Sequence, residues 1–515
     1  MEEGPAVNGK YSARSAGMSA KYLRHAVILY FLIFAGTMAL ITPPYEAPDE
    51  LAHLEYMNFL AKNHILPDQT NPEHGGTTSW EHNQPPLYYI IGAAILTLAK
   101  PEHAIDINLE KHGRWARPPG LDGAPRDLFV SRTDLYLFYL FRFISVFLGA
   151  ITLFYIFRTS SLLLPAGAGA WAVFPGLFVT TLPQFAFDSA IVNNDAVANL
   201  LAAAAIYYVY AIVDQPVLSG NYVCLGLSLG LGLLAKKTLL VLLPMVSVLL
   251  VAAFLVGKPK RRIAALAAMA VALTVLVAGG WYLRNYRLYG EFLAGGIEEK
   301  QLAYLVEKLP LEWFVGSAWG SHQAGSAIAV AAGVVVALVL AGHRGVPGAT
   351  RLAAVSVLTL AAAVLPFFFR NEIQGRYAGR FVALLYTSFI GYFGEMSLPL
   401  PDAIYALYGS VLGAAAVGLY VDLSQKAFRD LRVLVACGFV AFALAGVMYY
   451  NLTFAQPQGR LLFPALSPIA CLVAIGLYAF LSGPRFRSAK QCALIAVLWL
   501  FVIADGMSIW QLYGY

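Results

Sequence analysis

The chain has 515 residues, of which 59% are hydrophobic and 12% charged, with a mean hydropathy of +0.66; ordinary soluble domains carry roughly 25% charged residues. This balance excludes a soluble globular protein and predicts one that crosses a membrane many times. The net charge of +6 falls in short basic clusters between apolar runs, the pattern of a membrane topology signal and not of a nucleic-acid surface.

Residues 1–23 are expected to form a cytoplasmic tail. The apolar run at 24–42 is followed by charged residues, not by a small-residue cleavage site, and so reads as a retained first span. A polar stretch from 43 to 133 follows, interrupted by "PLYYIIGAAILTLA" at 86–99. Runs near spanning length, about 17 to 25 residues, then lie at 134–157, 166–186, 195–213, 222–235, 238–256 and 263–282. Others follow at 325–342, 352–369, 402–421, 433–452, 461–481 and 491–510. The run at 222–235 is short and rich in glycine. Cys224, Cys437, Cys471 and Cys492 all sit in apolar runs without metal-ligand spacing.

Basic residues decide the orientation. If 86–99 lies on the membrane surface, Lys21, Arg24, Arg158, "KPKRR" at 258–262, Arg344, Arg351, "QKAFRDLR" at 425–432 and "PRFRSAK" at 484–490 all face the cytoplasm. If it spans, every cluster after the first changes sides. The charge pattern thus predicts an all-α polytopic membrane protein of about 13 transmembrane helices. Its N-terminus is inside, its C-terminus outside, and juxtamembrane helices occupy a long first outer loop.

The same arrangement gathers the polar motifs outside: "PDELAHLEY" (48–56), "HNQPPLYY" (82–89), "VNNDA" (192–196), "AKKT" (235–238), "RNYRLYG" (284–290), "RNEIQGRYAGR" (370–380) and "QPQGRLLFP" (456–464). The expected organisation is a catalytic membrane module over 24–282 that includes outer loop 43–133, an acceptor-side outer loop over 283–324, and a C-terminal transmembrane module over 325–515.

Asp49 and His53 are four apart and share a helical face, with Glu50 beside them; Pro48 suits a first turn. Ionisable residues facing a bundle at the membrane boundary mark function, although acids at a solvated helix start also favour the dipole. Lys236 and Lys237 interrupt "LGLGLLAKKTLLVLLP", where a buried cation needs an anion. Arg284, Arg376 and Arg460 add guanidinium groups whose fork matches phosphate oxygens; snorkelling toward headgroups is the plainer account of such residues. One face carrying carboxylates and several cations suits a lipid-linked phosphosugar. A carboxylate can act as general base on an acceptor hydroxyl while cations stabilise the departing phosphate.

With these motifs in view the chain resembles the GT-C superfamily of polytopic glycosyltransferases, in the branch of aminoarabinose transferases and protein O-mannosyltransferases. The likeness runs from "APDELAH" through "NQPPLYY", "NND", "AKKT" and "RNYRLYG" to "QGRLLFP". It implies a GT-C-like bundle at the outer face of a bacterial inner membrane. There a monosaccharide would move from a polyprenyl-phosphate donor to an acceptor hydroxyl of a glycan, lipid or protein, with inversion. It further implies Asp49 as catalytic base with Glu50 in support, Asp195 organising the donor site or a metal, and Lys236 at the donor phosphate. Lys237, Arg284, Arg376 and Arg460 are expected around that phosphate, and His53, His82, Gln84 and Gln458 around donor and acceptor. No cofactor is required, although Asp49, Glu50, His53 and Asp195 could offer ligands to a divalent metal. Leu461 stands where the Q-G-R-Y pattern has tyrosine, whereas Gln374-Gly375-Arg376-Tyr377 is complete, so either Gln-Gly-Arg could serve the site.

Two other readings fit less. "DELAH" contains E-x-x-H, but Asp49 replaces the first histidine of a zinc-binding H-E-x-x-H, against an intramembrane metalloprotease. A lipid or solute transporter should show an inverted repeat or polar residues along its spans, and neither is visible.

Overall fold

The computed structural model describes residues 6–45, 47–71, 80–99, 105, 129–165, 168–294, 372–394, 396–425, 431–453, 456–482 and 490–513. Its helices are α1 (Ala6–Ile41), α2 (Glu50–Asn63), α3 (Leu87–Ala99), α4 (Arg132–Leu163), α5 (Phe174–Thr180), α6 (Pro183–Asp188), α7 (Asp195–Asp214) and α8 (Ser219–Ala235). They continue with α9 (Leu243–Val256), α10 (Lys260–Tyr289), α11 (Glu372–Ile390), α12 (Asp402–Gln425), α13 (Leu431–Thr453), α14 (Leu466–Phe480) and α15 (Lys490–Tyr513). Short 3-10 turns lie at Trp80–Asn83, Gly169–Val173, Lys237–Leu242 and Gly459–Ala465. The described strands are two-residue β1 (Tyr392–Phe393) and β2 (Leu398–Pro399), an antiparallel pair.

Among the described residues, 8 helices are long and apolar enough to cross a membrane. The expected runs at 325–342 and 352–369 lie outside the described residues, as does 295–324 of the expected acceptor-side loop. Helix α10 continues to Tyr289, past the boundary expected at 282. Helix α3 matches the surface reading of 86–99: its 13 residues rise only about 20 Å, short of the ~30 Å hydrocarbon core.

One expected span is not a single helix. The run at 166–186 is divided into the 3-10 turn Gly169–Val173 and the short helices α5 and α6. Pro175 and Pro183 each fall in the first turn of one of these. Proline lacks the N–H that a continuing helix would need, and it drives the residue before it toward extended backbone; Leu182 accordingly sits at φ −86°, ψ 105°.

Burial identifies the central helices. The apolar window of α7 is 72% buried and that of Gly459–Phe480 is 83% buried, against 17% for α10 at the periphery. Helix α7 packs on α4, α8 and α9, and its Ala202–Ala205 run lets neighbours approach closely. Helix α14 crosses α12 where Gly418 meets Gly476, and a Cβ at either glycine would overlap backbone of the other helix.

Between these helices and α2 lies a buried ion pair of Arg142, on α4, with Glu50, the first residue of α2. Neither side chain is exposed. Arg142 Nε and Nη2 each donate to one Glu50 oxygen at 2.8 Å. The remaining guanidinium protons go to the carbonyls of Ala39, Thr42 and Pro43 at 2.8, 2.6 and 3.1 Å. Glu50 also accepts from the backbone N–H groups of Tyr45 and Val192, both at 3.0 Å. All five arginine donors and about four carboxylate lone-pair sites are thereby used. This single contact joins the end of α1, the start of α2, the middle of α4 and the loop before α7.

Breaking a buried pair by removing one partner typically costs about 3–5 kcal/mol. Arg142→Met should therefore lower the melting temperature strongly in a detergent thermal-unfolding assay. Pairing it with Glu50→Met should recover much of the loss, since replacing both charges by apolar groups is often tolerated. A single variant as stable as the parent would contradict this assignment.

Candidate active site

Asp49 is the N-cap of α2 and adopts the left-handed conformation, φ 63°, ψ 1°. Asp is among the few residue types that tolerate this region. A capping aspartate usually accepts from the N–H groups of its own helix, but the Asp49 side chain makes no such bond. Its Oδ2 accepts instead from Arg460 Nη2 at 2.9 Å. The helical spacing read from the sequence survives at the backbone, where His53 N donates to Asp49 O at 3.0 Å.

Arg460 comes from the 3-10 turn that opens the α14 hairpin. The preceding Gly459 is pressed against the backbone of Phe389 on α11, so that a Cβ would overlap it, and Gly459 N donates to Ser388 Oγ at 2.8 Å. Arg460 Nε donates to Gln458 Oε1 at 2.7 Å, and Nη1 lies 3.7 Å from Asp195 Oδ2. Asp195 opens α7, and its Oδ1 accepts from Lys236 Nζ at 2.6 Å. Lys236 is placed by the break between α8 and the 3-10 turn that follows, where its backbone is extended at φ −157°, ψ 134°. The four groups alternate in sign: Asp49, Arg460, Asp195, Lys236.

Behind Asp49 lies a second layer. The Tyr89 hydroxyl, from α3, is 2.9 Å from Glu81 Oε2 and 3.0 Å from His53 Nδ1, and it accepts from Asn194 Nδ2 at 3.3 Å. On the other side of Arg460, a pocket with about 310 Å³ of empty space is lined by Arg460, Gln458, Asp188, Gln184, Tyr392 and Ser388 among others. Asp188 Oδ1 accepts from Asn193 Nδ2 at 3.2 Å, while its buried Oδ2 has no hydrogen-bond partner.

These surroundings sort the carboxyl groups by charge. Burial pushes Asp49 up, but the Arg460 guanidinium, with help from Lys236, holds it below its ordinary value, so it is ionised. Burial, followed by repulsion from Asp49, raises Glu81 to about 8. Burial, followed by repulsion from Asp195, raises Asp188 to about 8 as well. His53 is pushed down to about 3, chiefly by burial, and is neutral. An ionised acid beside protonated ones is the arrangement that allots separate proton-transfer roles to similar groups.

The structure thus brings Asp49, His53, Asp195, Lys236, Gln458 and Arg460 together, and the Gln-Gly-Arg at 458–460 is the one that reaches Asp49. Glu50 points the other way, saturated by Arg142. Lys237 is half-buried at the head of its 3-10 turn. His82 packs edge-on against Tyr56 with ring centres 5.2 Å apart, and Gln84 O accepts from Tyr56 Oη at 3.4 Å. Arg284 Nη2 donates to Pro67 O at 2.6 Å and the guanidinium sits over Trp281, which ties α10 to the chain after α2. Arg376 lies on α11 in turns whose side chains are outside the described residues. Among the described residues no three of His, Cys, Asp and Glu converge to hold a metal. Asp49 and Asp195 meet cations, so the set of Asp49, Glu50, His53 and Asp195 is not assembled as a ligand cage.

Arg142, Glu81, Tyr89 and Asp188 were not legible as site residues. Only Arg142 carries a signal: a lone cation within "LYLFYLFRFISVF" must find an anion.

Comparison with known proteins places this geometry in context. A family profile described as dolichyl-phosphate-mannose-protein mannosyltransferase matches residues 139–281, the part that holds Arg142, Asp195 and Lys236. No curated protein sequence matches the chain. The oligosaccharyltransferase AglB of Archaeoglobus fulgidus, in complex with an inhibitory peptide and a dolichol-phosphate, is similar at 13% identity and a TM-score of 0.51. That match covers 95% of this chain and 56% of the other, so the chain spans little more than half the length of that protein. The same enzyme tethered to an acceptor peptide gives a TM-score of 0.50 at 13% identity, over 95% of this chain and 55% of that one. ArnT of Cupriavidus metallidurans bound to undecaprenyl phosphate superposes less well, with a TM-score of 0.34 and 13% identity over 88% of this chain and 78% of that one. With its buried helices, its outer-loop helix α2 and its matched segment at 139–281, the chain has the fold of the GT-C glycosyltransferases.

Proposed function

We propose that this protein is a glycosyltransferase that moves a monosaccharide from a polyprenyl-phosphate donor to an acceptor hydroxyl at the outer face of a bacterial inner membrane. The observation that carries the reading is the alternating cluster of Asp49, Arg460, Asp195 and Lys236, in which two cations stand beside an ionised carboxylate. The matched family profile and the GT-C fold support a lipid-phosphate sugar as donor. The acceptor is a hydroxyl of a glycan, lipid or protein.

The proposed step needs one base and no general acid. The acceptor oxygen attacks the anomeric carbon as its proton passes to Asp49, and the bond from that carbon to the phosphate oxygen breaks, its electron pair leaving with the lipid phosphate. Attack from the side opposite the leaving group inverts the anomeric centre. Arg460 and Lys236 stabilise the charge growing on the departing phosphate. The phosphate also competes with Asp49 for the Arg460 guanidinium, which makes Asp49 a stronger base as the donor arrives. Neutral Asp188 and Glu81 keep further negative charge away from that anion.

Two substitutions test the assignment with undecaprenyl-phosphate-linked sugars as donors. Asp49→Asn should leave donor binding intact and reduce kcat by about 10²–10⁴, the usual contribution of a positioned base; undiminished turnover would exclude Asp49 as the base. Lys236→Ala should weaken binding of undecaprenyl phosphate itself, read by titration in detergent. Equal affinity in parent and variant would remove Lys236 from the phosphate site.

A further inference from the structure

The layer behind Asp49 contains a hydrogen-bonding problem with only two solutions. The Tyr89 hydroxyl has one proton and two lone pairs. Asn194 Nδ2 occupies one lone pair at 3.3 Å, and the Ala235 carbonyl 3.5 Å from the same nitrogen fixes the amide's orientation. One proton and one lone pair are left for two neighbours, Glu81 Oε2 at 2.9 Å and His53 Nδ1 at 3.0 Å. Tyr89 cannot serve both in the same sense. If it donates to Glu81, His53 Nδ1 must carry a hydrogen and Nε2 is bare. If Glu81 carries a proton and donates to Tyr89, Tyr89 donates to His53 Nδ1, and the ring hydrogen sits on Nε2.

The surroundings choose between these solutions. Glu81, His53, Tyr89 and Asn194 are all at least nine-tenths buried. The charged groups that bear on Glu81 and His53 are Asp49, Asp195, Lys236 and Arg460, while Tyr56 stacks on Tyr89 with ring centres 3.9 Å apart. An ion pair of Glu81 with a protonated His53, at 3.6 Å, contains the same number of protons as the neutral pair. It would bury two charges in place of none, and Lys236 and Arg460 oppose the imidazolium.

We propose that Glu81 is a positioning residue that, by holding a proton and acting through Tyr89, sets the tautomer of His53 so that its Nε2 carries the hydrogen. This rests on the transferase reading only for its consequence: an N–H at Nε2 offers the anionic donor one more hydrogen bond, and a bare nitrogen would withhold it. Glu81 does not touch the reacting atoms. Burial, and then Asp49, raise Glu81 to about 8, so the tautomer should exchange as pH passes that value. The sign for stability follows. A carboxyl raised in the folded state stabilises the fold below its unfolded value near 4.5, and that contribution is lost as pH rises through about 8.

The test uses full-length protein in lipid nanodiscs with ¹⁵N-labelled histidine, and His53→Gln identifies the His53 signals. The pyridine-type nitrogen should be Nδ1 at about pH 6 and Nε2 at about pH 9.5, on either side of the shifted carboxyl. Glu81→Gln, whose amide can donate to Tyr89 without titrating, should hold one tautomer across the range, and Tyr89→Phe should abolish the pH response. Two pyrrole-type nitrogens below about pH 8, an unchanging tautomer in the parent, or the same transition in Glu81→Gln would each overturn the proposal. In parallel, affinity for undecaprenyl phosphate should fall about tenfold across the transition in the parent, the worth of one charge-assisted hydrogen bond, and not in Glu81→Gln. Binding with no such pH difference would overturn the consequence drawn for the donor. Failure of undecaprenyl phosphate to bind at any pH would sink the donor reading and leave the tautomer result standing.

Discussion

The contact between Glu50 and Arg142 determines how the rest of the site is built. It is fully buried, uses every arginine proton, and draws its partners from α1, α2, α4 and the loop before α7. A lone arginine inside a helical bundle would be prohibitive, and so would a lone glutamate. Together they make one rigid joint. Because Glu50 is the first residue of α2, the residue before it has little freedom, and Asp49 is held in a left-handed conformation that it would seldom choose in a loose loop. The acid offered to Arg460 is thus aimed by its neighbour's commitment elsewhere.

Electrostatics follows from that placement. Asp49 and Asp195 each meet a cation and remain ionised or paired, while Glu81 and Asp188 have burial without a close cation and stay protonated at neutral pH. Four carboxyl groups near one guanidinium thereby avoid mutual repulsion. The cluster is close to neutral in sum, which suits a site at the boundary between protein and lipid, where uncompensated charge is costly.

Much of this was legible in the sequence, and the reasons differ from residue to residue. Long apolar runs and basic clusters pointed to the helices, because hydrophobic length and loop charge are local properties. Asp49, Asp195, Lys236 and Arg460 could be gathered on one face because topology alone puts their motifs at the same ends of different helices. Glu50 was less legible. Two adjacent acids look equivalent in a string of letters, and only the backbone at Asp49 turns one toward Arg460 and the other toward Arg142, 92 residues away. Glu81 and Asp188 owe their character to burial, which no short motif encodes. The division of 166–186 into short helices was within reach, since Pro175 and Pro183 mark it, but continuous hydrophobicity over the same stretch hides it.

The approach of Gly459 to Phe389 has a mechanical result. With no side chain between them, the turn that carries Arg460 rides directly on α11, whose own first turns contain the second Gln-Gly-Arg at 374–376. The two copies of the tripeptide are therefore coupled parts of one lever. Any tilt of α11 would drag the guanidinium with it, and bulk at position 459 would uncouple them.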